Sequence, residues 1–212
     1  MDEIVLMADP RVTGIPVEEC GEPLVTIDDL AVSDHKDVLG ADRTRLRAGV
    51  AERLRQAARL LPPGVQLLFV EGWRAPAIQR GYFENYRDEL LRDGIAADAD
   101  EAHRLASRYV SPPEIAPHVA GAAVDLTLCT PDGAELDLGT RVNASPEESD
   151  GGCYTAATNI SAEGIANRAV LSKAMTEAGF VNYPTEWWHW SYGDRYWALA
   201  TGAPAALYGA TA

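Results

Sequence analysis

The sequence is poor in cysteine and in basic residues, and it contains no long apolar run. Its three cysteines, Cys20, Cys129 and Cys153, are an odd number without C-x-x-C spacing, so we expect small buried thiols rather than disulfides or a thiolate metal site. Eighteen Lys and Arg residues stand against 32 Asp and Glu residues, and the formal net charge of −14 disfavours nucleic acid and anionic membranes as partners. No stretch approaches the roughly 18 consecutive apolar residues of a membrane span.

The beginning of the chain also lacks the basic segment and the long apolar segment of a secretory signal, so we expect a cytoplasmic protein. The 212 residues, of which 47% are hydrophobic and 24% charged, fit one globular domain over residues 1–212. Residues 1–40 are punctuated by Pro and Gly and have no long periodic segment. We expect them to form an N-terminal arm that wraps the core and adds an edge strand. The oligomeric state is left open.

Apolar periodicity and turn residues predict the elements that follow the arm. The predicted helices are Arg43–Leu61, Pro76–Arg92, Asp100–Val110 and the stretch from a Ser161 cap to Ala178. The predicted strands are Val65–Val70, Ala122–Leu128, Phe180–Tyr183 and Trp187–Tyr192. A long polar loop is predicted over residues 139–160. This order of elements favours an α+β fold with a small, mostly antiparallel sheet flanked by helices.

Two motifs in the second half of the chain carry side chains that bind metal ions. His118 is followed seven positions later by Asp125, and Glu186 stands three positions before His189. Two imidazoles, one carboxylate ligand and one further carboxylate are the inventory of a catalytic zinc site with an open coordination position and a general base. The residues therefore predict a zinc-dependent hydrolase.

Each motif also has a simpler interpretation. Asp125 lies in an apolar strand, where a carboxylate is costly unless it binds a cation, pairs with an arginine or caps a turn. Residues three apart on a strand face opposite sides, so Glu186 must lie at the bend after Pro184 if it and His189 are to approach one ion. The alternative for His189 is a hydrogen-bonded histidine in an aromatic-rich core strand. Core positions are expected in either case for Trp187, Trp188 and Trp190.

Arg74 comes shortly after the predicted strand Val65–Val70. The simpler interpretation of Arg74 is a salt bridge at the rim of the sheet. The functional interpretation is a fixed cation aimed at a developing oxyanion or at a substrate carboxylate. The two remaining histidines, His35 and His103, lie in polar surroundings, and no role is predicted for them.

Three motifs in combination resemble those of the D-alanyl-D-alanine dipeptidases of vancomycin resistance. They are Gly72-Trp73-Arg74-x-Pro76-x-x-Gln79, His118-x-x-Gly121-x-Ala123-Val124-Asp125-Leu126-Thr127-Leu128 and Glu186-Trp187-Trp188-His189-Trp190-x-Tyr192-Gly193-Asp194. The resemblance spans roughly residues 65–200. That family belongs to the D-Ala-D-Ala metallopeptidase superfamily, which shares its fold with hedgehog signalling domains.

The resemblance implies a role for each matching side chain. One zinc ion per chain is implied, with the ligands His118, Asp125 and His189. Glu186 is implied as the general base and acid, and Arg74 as the group that stabilises the transition state. Substrate contacts are implied for Gln79, Tyr82 and Asn143. The implied reaction is hydrolysis of a small dipeptide, with D-Ala-D-Ala as the first candidate, in peptidoglycan metabolism or antibiotic resistance.

Two positions depart from the pattern of that family. Pro117 stands where its members usually carry a serine, and Val142-Asn143 stands where they carry an aromatic residue and an aspartate that helps to hold the substrate's ammonium group. Nearby acidic candidates for that charge are Glu147, Glu148 and Asp150. Two alternatives therefore stay open: a zinc peptidase or amidase for another peptidoglycan-derived or natural-product peptide, and a non-catalytic metal-binding module. The presence of both Glu186 and Arg74 speaks against the second.

Overall fold

A five-stranded sheet lies at the centre of the structure, a computed structural model that describes residues 4–36 and 39–211. The helices are α1 (Pro10–Thr13), α2 (Ala48–Leu60), α3 (Pro76–Arg92), α4 (Ala99–Ala106), α5 (Ala162–Glu177) and α6 (Arg195–Thr201), with a 3-10 turn at Ala41–Thr44. The strands are β1 (Leu24–Thr26), β2 (Ala31–Val32), β3 (Arg45–Arg47), β4 (Gln66–Glu71), β5 (Ala123–Cys129), β6 (Val181–Asn182) and β7 (His189–Ser191).

The order of strands in the central sheet is β2-β4-β5-β7-β6. Strand β2 runs parallel to β4, and the other neighbouring strands are antiparallel. A separate antiparallel pair is formed by β1 and β3. The protein thus has the predicted α+β fold, with a small, mostly antiparallel sheet and helices around it.

The two faces of β5 have different surroundings, because successive side chains of a strand point to opposite sides. Val124, Leu126 and Leu128 belong to the main hydrophobic core, together with side chains of α2 and α5. Asp125 alternates with them and therefore faces the other side, where it is also buried. The same main core contains, as predicted, Trp187, Trp188 and Trp190.

The predicted helix Arg43–Leu61 is wrong over its first five residues. They form part of the 3-10 turn and strand β3, so that the helix begins only at Ala48. Long-range pairing decides this difference: β3 is paired with β1, and the buried Arg47 side chain donates a hydrogen bond of 2.8 Å to the Ala120 carbonyl oxygen. These partners are distant in the sequence, so local periodicity does not reveal them.

Other boundaries differ by a few residues. The helix predicted over Asp100–Val110 corresponds to α4, which is capped by the Asp98 side chain and ends in turns four residues early. The strands predicted over Phe180–Tyr183 and Trp187–Tyr192 shorten to β6 and β7, because the turn between them occupies more residues. Helices α1 and α6 were not predicted, because they are too short to show a periodic pattern.

Several predicted elements are confirmed. Helix α3 coincides with the predicted span Pro76–Arg92, and β4 and β5 are each shifted by one residue from their predicted spans. Helix α5 begins after Ser161, whose hydroxyl accepts a hydrogen bond of 2.8 Å from the Gly164 N–H. Cys129 and Cys153 are buried, but the expectation of a buried thiol is wrong for Cys20, which lies on an exposed extended stretch.

The predicted polar loop over residues 139–160 is also confirmed, since all of these residues are described and contain only turns and irregular structure. Arg168 of α5 holds this loop. Its buried guanidinium donates hydrogen bonds to three carbonyl oxygens, those of Leu138 at 2.7 Å, Tyr154 at 2.7 Å and Gly152 at 2.8 Å. The loop therefore has a defined conformation although it lacks regular hydrogen-bonded structure.

The N-terminal segment supplies β2, the edge strand of the central sheet beside β4. That residues 1–40 are an arm of a single domain stays a prediction, and residues 1–3, 37 and 38 lie outside the described part of the chain. None of the helices within the described ranges combines the length and the hydrophobicity that crossing a membrane requires.

Gly121 tests how closely the N-terminal segment is packed. It has a φ of 66°, and a Cβ there would lie 2.4 Å from Leu24 Cδ2, so alanine would be strained and would displace the Leu24 side chain. We predict that Gly121→Ala lowers the free energy of unfolding by about 2–4 kcal/mol in urea denaturation. Gly64→Ala is the matched control, because Gly64 has a φ of 86° but open space around it, and we expect it to cost about 1 kcal/mol. Equal losses would contradict the contribution of close packing.

Candidate metal centre and active site

A row of polar side chains crosses the middle of the central sheet. Glu71 of β4 lies opposite Asp125 of β5, and Asp125 lies opposite His189 of β7. Residues directly opposite each other in antiparallel strands point to the same face, so these three side chains project together. All three are buried, on the face of β5 that is turned away from the main core.

His118 approaches this row from the turn before β5. Its ring Nδ1 lies 2.7 Å from the Gly72 carbonyl oxygen, and its own carbonyl oxygen accepts a hydrogen bond of 3.2 Å from the Arg74 N–H. A hydrogen bond to a carbonyl requires that Nδ1 carries the proton, which leaves a lone pair on Nε2. That Nε2 lies 3.3 Å from Asp125 Oδ1.

The side chains of His118, Asp125 and His189 form one buried cluster, in which one ligand atom of each lies within 4.8 Å of the others. His189 Nδ1 is 3.0 Å from Asp125 Oδ1, and His189 Nε2 is buried without a hydrogen-bond partner. Burial raises the pKa of Asp125, but the neighbouring His118 and His189 lower it by more, so that it lies well below its ordinary value. The cluster therefore presents an ionised carboxylate between two imidazoles.

The donor atoms of this cluster fit a zinc ion. Zinc binds imidazole nitrogen and carboxylate oxygen, and catalytic zinc sites use three protein ligands with one open position. In the tautomer that the Gly72 carbonyl selects, the His118 Nε2 lone pair faces a carboxylate oxygen, an arrangement that is repulsive unless a cation lies between them. A divalent cation shared by the three side chains removes this repulsion.

Glu186 lies in the turn between β6 and β7, at the bend that its spacing from His189 requires. Its Oε2 atom is 3.8 Å from His189 Nδ1, beside the cluster. Burial, followed by the negative charge of Asp125, raises the pKa of Glu186 well above its ordinary value. The positive charges of Arg74 and Lys36 act in the opposite direction. A buried carboxyl with a raised pKa inside a pocket is typical of an acid or base that takes part in chemistry.

Arg74 is buried next to the cluster and forms a bidentate ion pair with Glu71. The Nε–Oε1 and Nη2–Oε2 distances are 2.6 and 2.7 Å, and Nη1 donates to Gln79 Oε1 at 2.7 Å. Burial lowers the pKa of Arg74, but Glu71 raises it by more, so the guanidinium remains charged. The salt bridge is thus buried rather than at the rim. Three of the five guanidinium N–H groups are used in these bonds, which leaves two for the pocket.

A pocket of about 240 Å³ opens onto the cluster, Glu186 and Arg74. Its wall includes the three predicted substrate contacts, Gln79, Tyr82 and Asn143. Gln79 is bonded at both ends of its amide, since its Nε2 also donates to the Ser111 carbonyl oxygen at 2.7 Å. Gln79 therefore holds Arg74 in position. The side chains of Tyr82 and Asn143 form no hydrogen bonds with the described residues.

The acidic residues considered as replacements for the missing aspartate do not line this pocket. All of them are exposed, namely Glu147, Glu148 and Asp150. Glu147 accepts hydrogen bonds from the Tyr86 hydroxyl at 2.8 Å and from Arg108 Nη2 at 2.6 Å. These contacts fix the loop to α3 and to the turn after α4, and Glu147 is not among the residues that line the pocket.

Two charged residues of the site, Glu71 and Lys36, were not predicted from the sequence. The sequence does indicate that Glu71 is paired, because it stands at the end of an apolar strand, three residues before an arginine, where an unpaired carboxylate is costly. No such indication exists for Lys36. Its Nζ lies 3.1 Å from Glu71 Oε2, across 35 positions of sequence, and its surroundings in the sequence are polar.

Comparison with known proteins identifies the family. The model of the family described as D-ala-D-ala dipeptidase matches residues 24–201. The chain belongs to this family. It is 29% identical to the D-alanyl-D-alanine dipeptidase of Synechocystis sp. over 87% of each chain. It is also 29% identical to that of Enterococcus faecium, over 68% of this chain and 71% of the relative. A solved vancomycin resistance D,D-pentapeptidase in complex with Zn(II) has a TM-score of 0.46 and 17% identity, covering 88% of this chain and 86% of that one.

Membership in the D-ala-D-ala dipeptidase family makes the protein a zinc metallopeptidase with a small peptide as its substrate. The predicted class of enzyme and the predicted cofactor are thereby confirmed. The individual roles of the site residues stay predictions.

The metal content of single variants tests the cluster. We predict that His118→Ala and His189→Ala each weaken zinc binding by more than about 100-fold, because removal of a ligand costs more than removal of an outer hydrogen bond. Glu186→Gln is the control and keeps one zinc ion per chain, since an amide in that turn preserves the shape of the pocket. The zinc-to-protein ratio after dialysis is the measurement. A fully loaded His118→Ala protein would exclude His118 as a ligand.

The pH dependence of stability tests the buried ion pair. Burial raises the pKa of Glu71, but Arg74 and Lys36 lower it by more, to about 2. Because this pKa is lower in the folded state, the pair stabilises the protein above about pH 4.3, and the contribution is lost as the pH falls toward 2. We predict that Glu71→Gln costs about 3–5 kcal/mol at pH 7 and less at pH 3, in urea unfolding with a chelator present.

Glu84→Gln is the matched control for this measurement, because Glu84 lies exposed on α3. We expect it to leave the free energy of unfolding within about 0.5 kcal/mol of the parent protein at both pH values. A difference between Glu71→Gln and the parent protein that is the same at pH 7 and pH 3 would refute the pairing.

Proposed function

We propose that the protein hydrolyses dipeptides of D-amino acids, with D-Ala-D-Ala as the main substrate, and that His118, Asp125 and His189 hold the zinc. The observation that carries the proposal is the position of Glu186. Its carboxyl group is buried in the pocket, 3.8 Å from one atom of the His/Asp/His cluster, and no described residue donates a hydrogen bond to it. A metallopeptidase needs a carboxylate of this kind beside the metal.

Zinc, when bound, acts as a Lewis acid and lowers the pKa of water to about 7. Glu186 then serves as the general base: its carboxylate takes a proton from the water molecule whose oxygen attacks the carbonyl carbon of the peptide bond. When the C–N bond breaks, Glu186 gives this proton to the leaving amine nitrogen. The raised pKa of Glu186 suits both steps, because a pKa nearer to neutral pH lets the same group accept the proton and then give it up.

Arg74 supplies positive charge where the carbonyl oxygen becomes an oxyanion. Two of its N–H groups are left by the bonds to Glu71 and Gln79, and these bonds hold the guanidinium in one orientation. A preorganised donor of this kind is typically worth about 3–4 kcal/mol in the transition state. Lysine in its place would lack the fork that pairs with Glu71.

The size of the pocket and the relatives support a small substrate. A pocket of about 240 Å³ is at the small end for peptide ligands. The relatives from Synechocystis sp. and Enterococcus faecium are D-alanyl-D-alanine dipeptidases, and the first of them aligns with 87% of this chain. The loop over residues 139–160 contributes Asn143 to the wall of the pocket, which limits how far a peptide extends there.

A second candidate is hydrolysis of peptides whose amino group is blocked. Asn143 lies in the pocket wall where the resemblance leads us to expect an aspartate, and the acidic residues of the same loop are exposed outside it. The side-chain amide of Asn143 carries no charge, so it binds an ammonium group more weakly than a carboxylate would. Acylated peptides lack that ammonium group and lose nothing at this position.

A panel of dipeptides tests both candidates. We expect the zinc-loaded protein to cleave D-Ala-D-Ala faster than L-Ala-L-Ala and faster than N-acetyl-D-Ala-D-Ala, with released alanine as the measurement. Glu186→Gln should reduce turnover by about 100- to 10,000-fold while its zinc content is unchanged. Faster cleavage of the acetylated peptide would favour the second candidate. No cleavage of any peptide by the loaded protein, or full activity of Glu186→Gln, would refute the proposed function.

A further inference from the structure

Lys36 brings a second cation into the pocket, beside Arg74. It comes from the N-terminal segment, four residues after β2, and its side chain is 17% exposed. Its Nζ lies 3.1 Å from Glu71 Oε2, the same oxygen that Arg74 Nη2 approaches at 2.7 Å. Lys36 is therefore part of the pocket wall on the side where Arg74 is fixed.

The charges of this group do not cancel. Glu71 carries one negative charge, and it is shared by two cations, Lys36 and Arg74. Beside this group, the carboxylates of Asp125 and Glu186 would balance the charge of a divalent ion bound at the cluster. The inner pocket is thus left with one excess positive charge, which is costly in a buried site unless an anion neutralises it.

Lys36 is better suited than Arg74 to bind such an anion. Its ammonium group has three N–H bonds and forms an ion pair with Glu71, and its flexible stem lets it follow a ligand. Arg74 is instead tied to Glu71 and Gln79. The ring of Tyr82 lies below both cations, 5.4 Å from Lys36 Nζ and 5.1 Å from Arg74 Cζ, and favours a positive charge at this place.

The negative charge that a short peptide offers is its terminal carboxylate. We infer that Lys36 binds this carboxylate and restricts the enzyme to peptides with a free carboxyl end. One further acid, Glu89 of α3, lines the pocket. It is exposed and lies two helical turns beyond Tyr82, so it does not cancel the positive charge of Lys36 and Arg74. The inference rests on the proposed function, because it assigns one end of the same substrate.

The test compares a free acid with its neutral counterpart, D-Ala-D-Ala and the C-terminal amide of D-Ala-D-Ala. Binding is measured by calorimetry in zinc-loaded Glu186→Gln protein, so that the ligand is not consumed. Replacing Lys36 by methionine should raise the dissociation constant of the acid by about 10- to 100-fold and that of the amide by less than about twofold, because a hydrogen bond to a charged group is lost only with the acid. In otherwise unchanged protein, the same replacement should raise KM for the acid with little change in kcat.

Two control variants complete the design. Lys36→Arg keeps a cation and should keep the preference for the acid. Lys173→Met removes the chain's other lysine, which is exposed on α5, and should change neither ligand's binding. Urea unfolding of Lys36→Met shows whether the variant is folded. If it is not, the inference is tested by comparing the dissociation constants of the acid and the amide in Lys36→Arg and in the parent protein.

Three results would overturn the inference. They are equal weakening of acid and amide in Lys36→Met, unchanged binding of both, and equal affinity of the two ligands with Lys36 in place. Equal weakening would mean that Lys36 only supports Glu71. Each of these results leaves hydrolysis by the parent protein, and so the proposed function, intact. Conversely, acid-selective binding that depends on Lys36 in a protein without peptidase activity would contradict the proposed function alone.

Discussion

The pairing register of β4, β5 and β7 is the constraint on which the site depends. It aligns Glu71, Asp125 and His189 in one row across the sheet. A slip of one residue would turn the Asp125 carboxylate into the main core and bring apolar side chains to the pocket face. The core residues Val124 and Leu126 therefore fix the register through their burial. Hydrophobic packing on one face of the sheet thus determines the geometry of the polar groups on the other.

Buried charge is compensated differently at each acid of the site. Glu71 is neutralised by an arginine and a lysine, and its pKa is low. Asp125 is surrounded by two imidazoles, and its pKa is also low. Glu186 accepts no hydrogen bond from the described residues and has a raised pKa, so it is the acid whose environment is adapted to proton transfer rather than to structure. One small pocket thereby contains an ion-paired carboxylate, a carboxylate between two imidazoles and a carboxyl group with a raised pKa.

Much of this arrangement could be predicted from the sequence, because it rests on local patterns. The histidines, Asp125 and Glu186 stand in motifs of fixed spacing, and the apolar run of β5 marks Asp125 as a costly residue that needs a partner. Helix α3 follows from Pro76 and periodicity. What could not be predicted depends on long-range contacts: strand β3 requires a partner from the N-terminal segment, and the place of Lys36 is defined by a carboxylate 35 positions away. Local propensity contains no information about such pairs.

The anchoring of the polar loop by Arg168 has a consequence for how this protein can change over time. The hydrogen bonds of this arginine go to backbone carbonyl groups, and every residue type provides one. Side-chain changes in the loop therefore leave these three bonds intact, whereas a change at Glu147 would remove its bonds to Tyr86 and Arg108. Since the loop forms part of the pocket wall, changes in its other side chains can alter the shape of the pocket while the His/Asp/His cluster and the sheet beneath it stay in place.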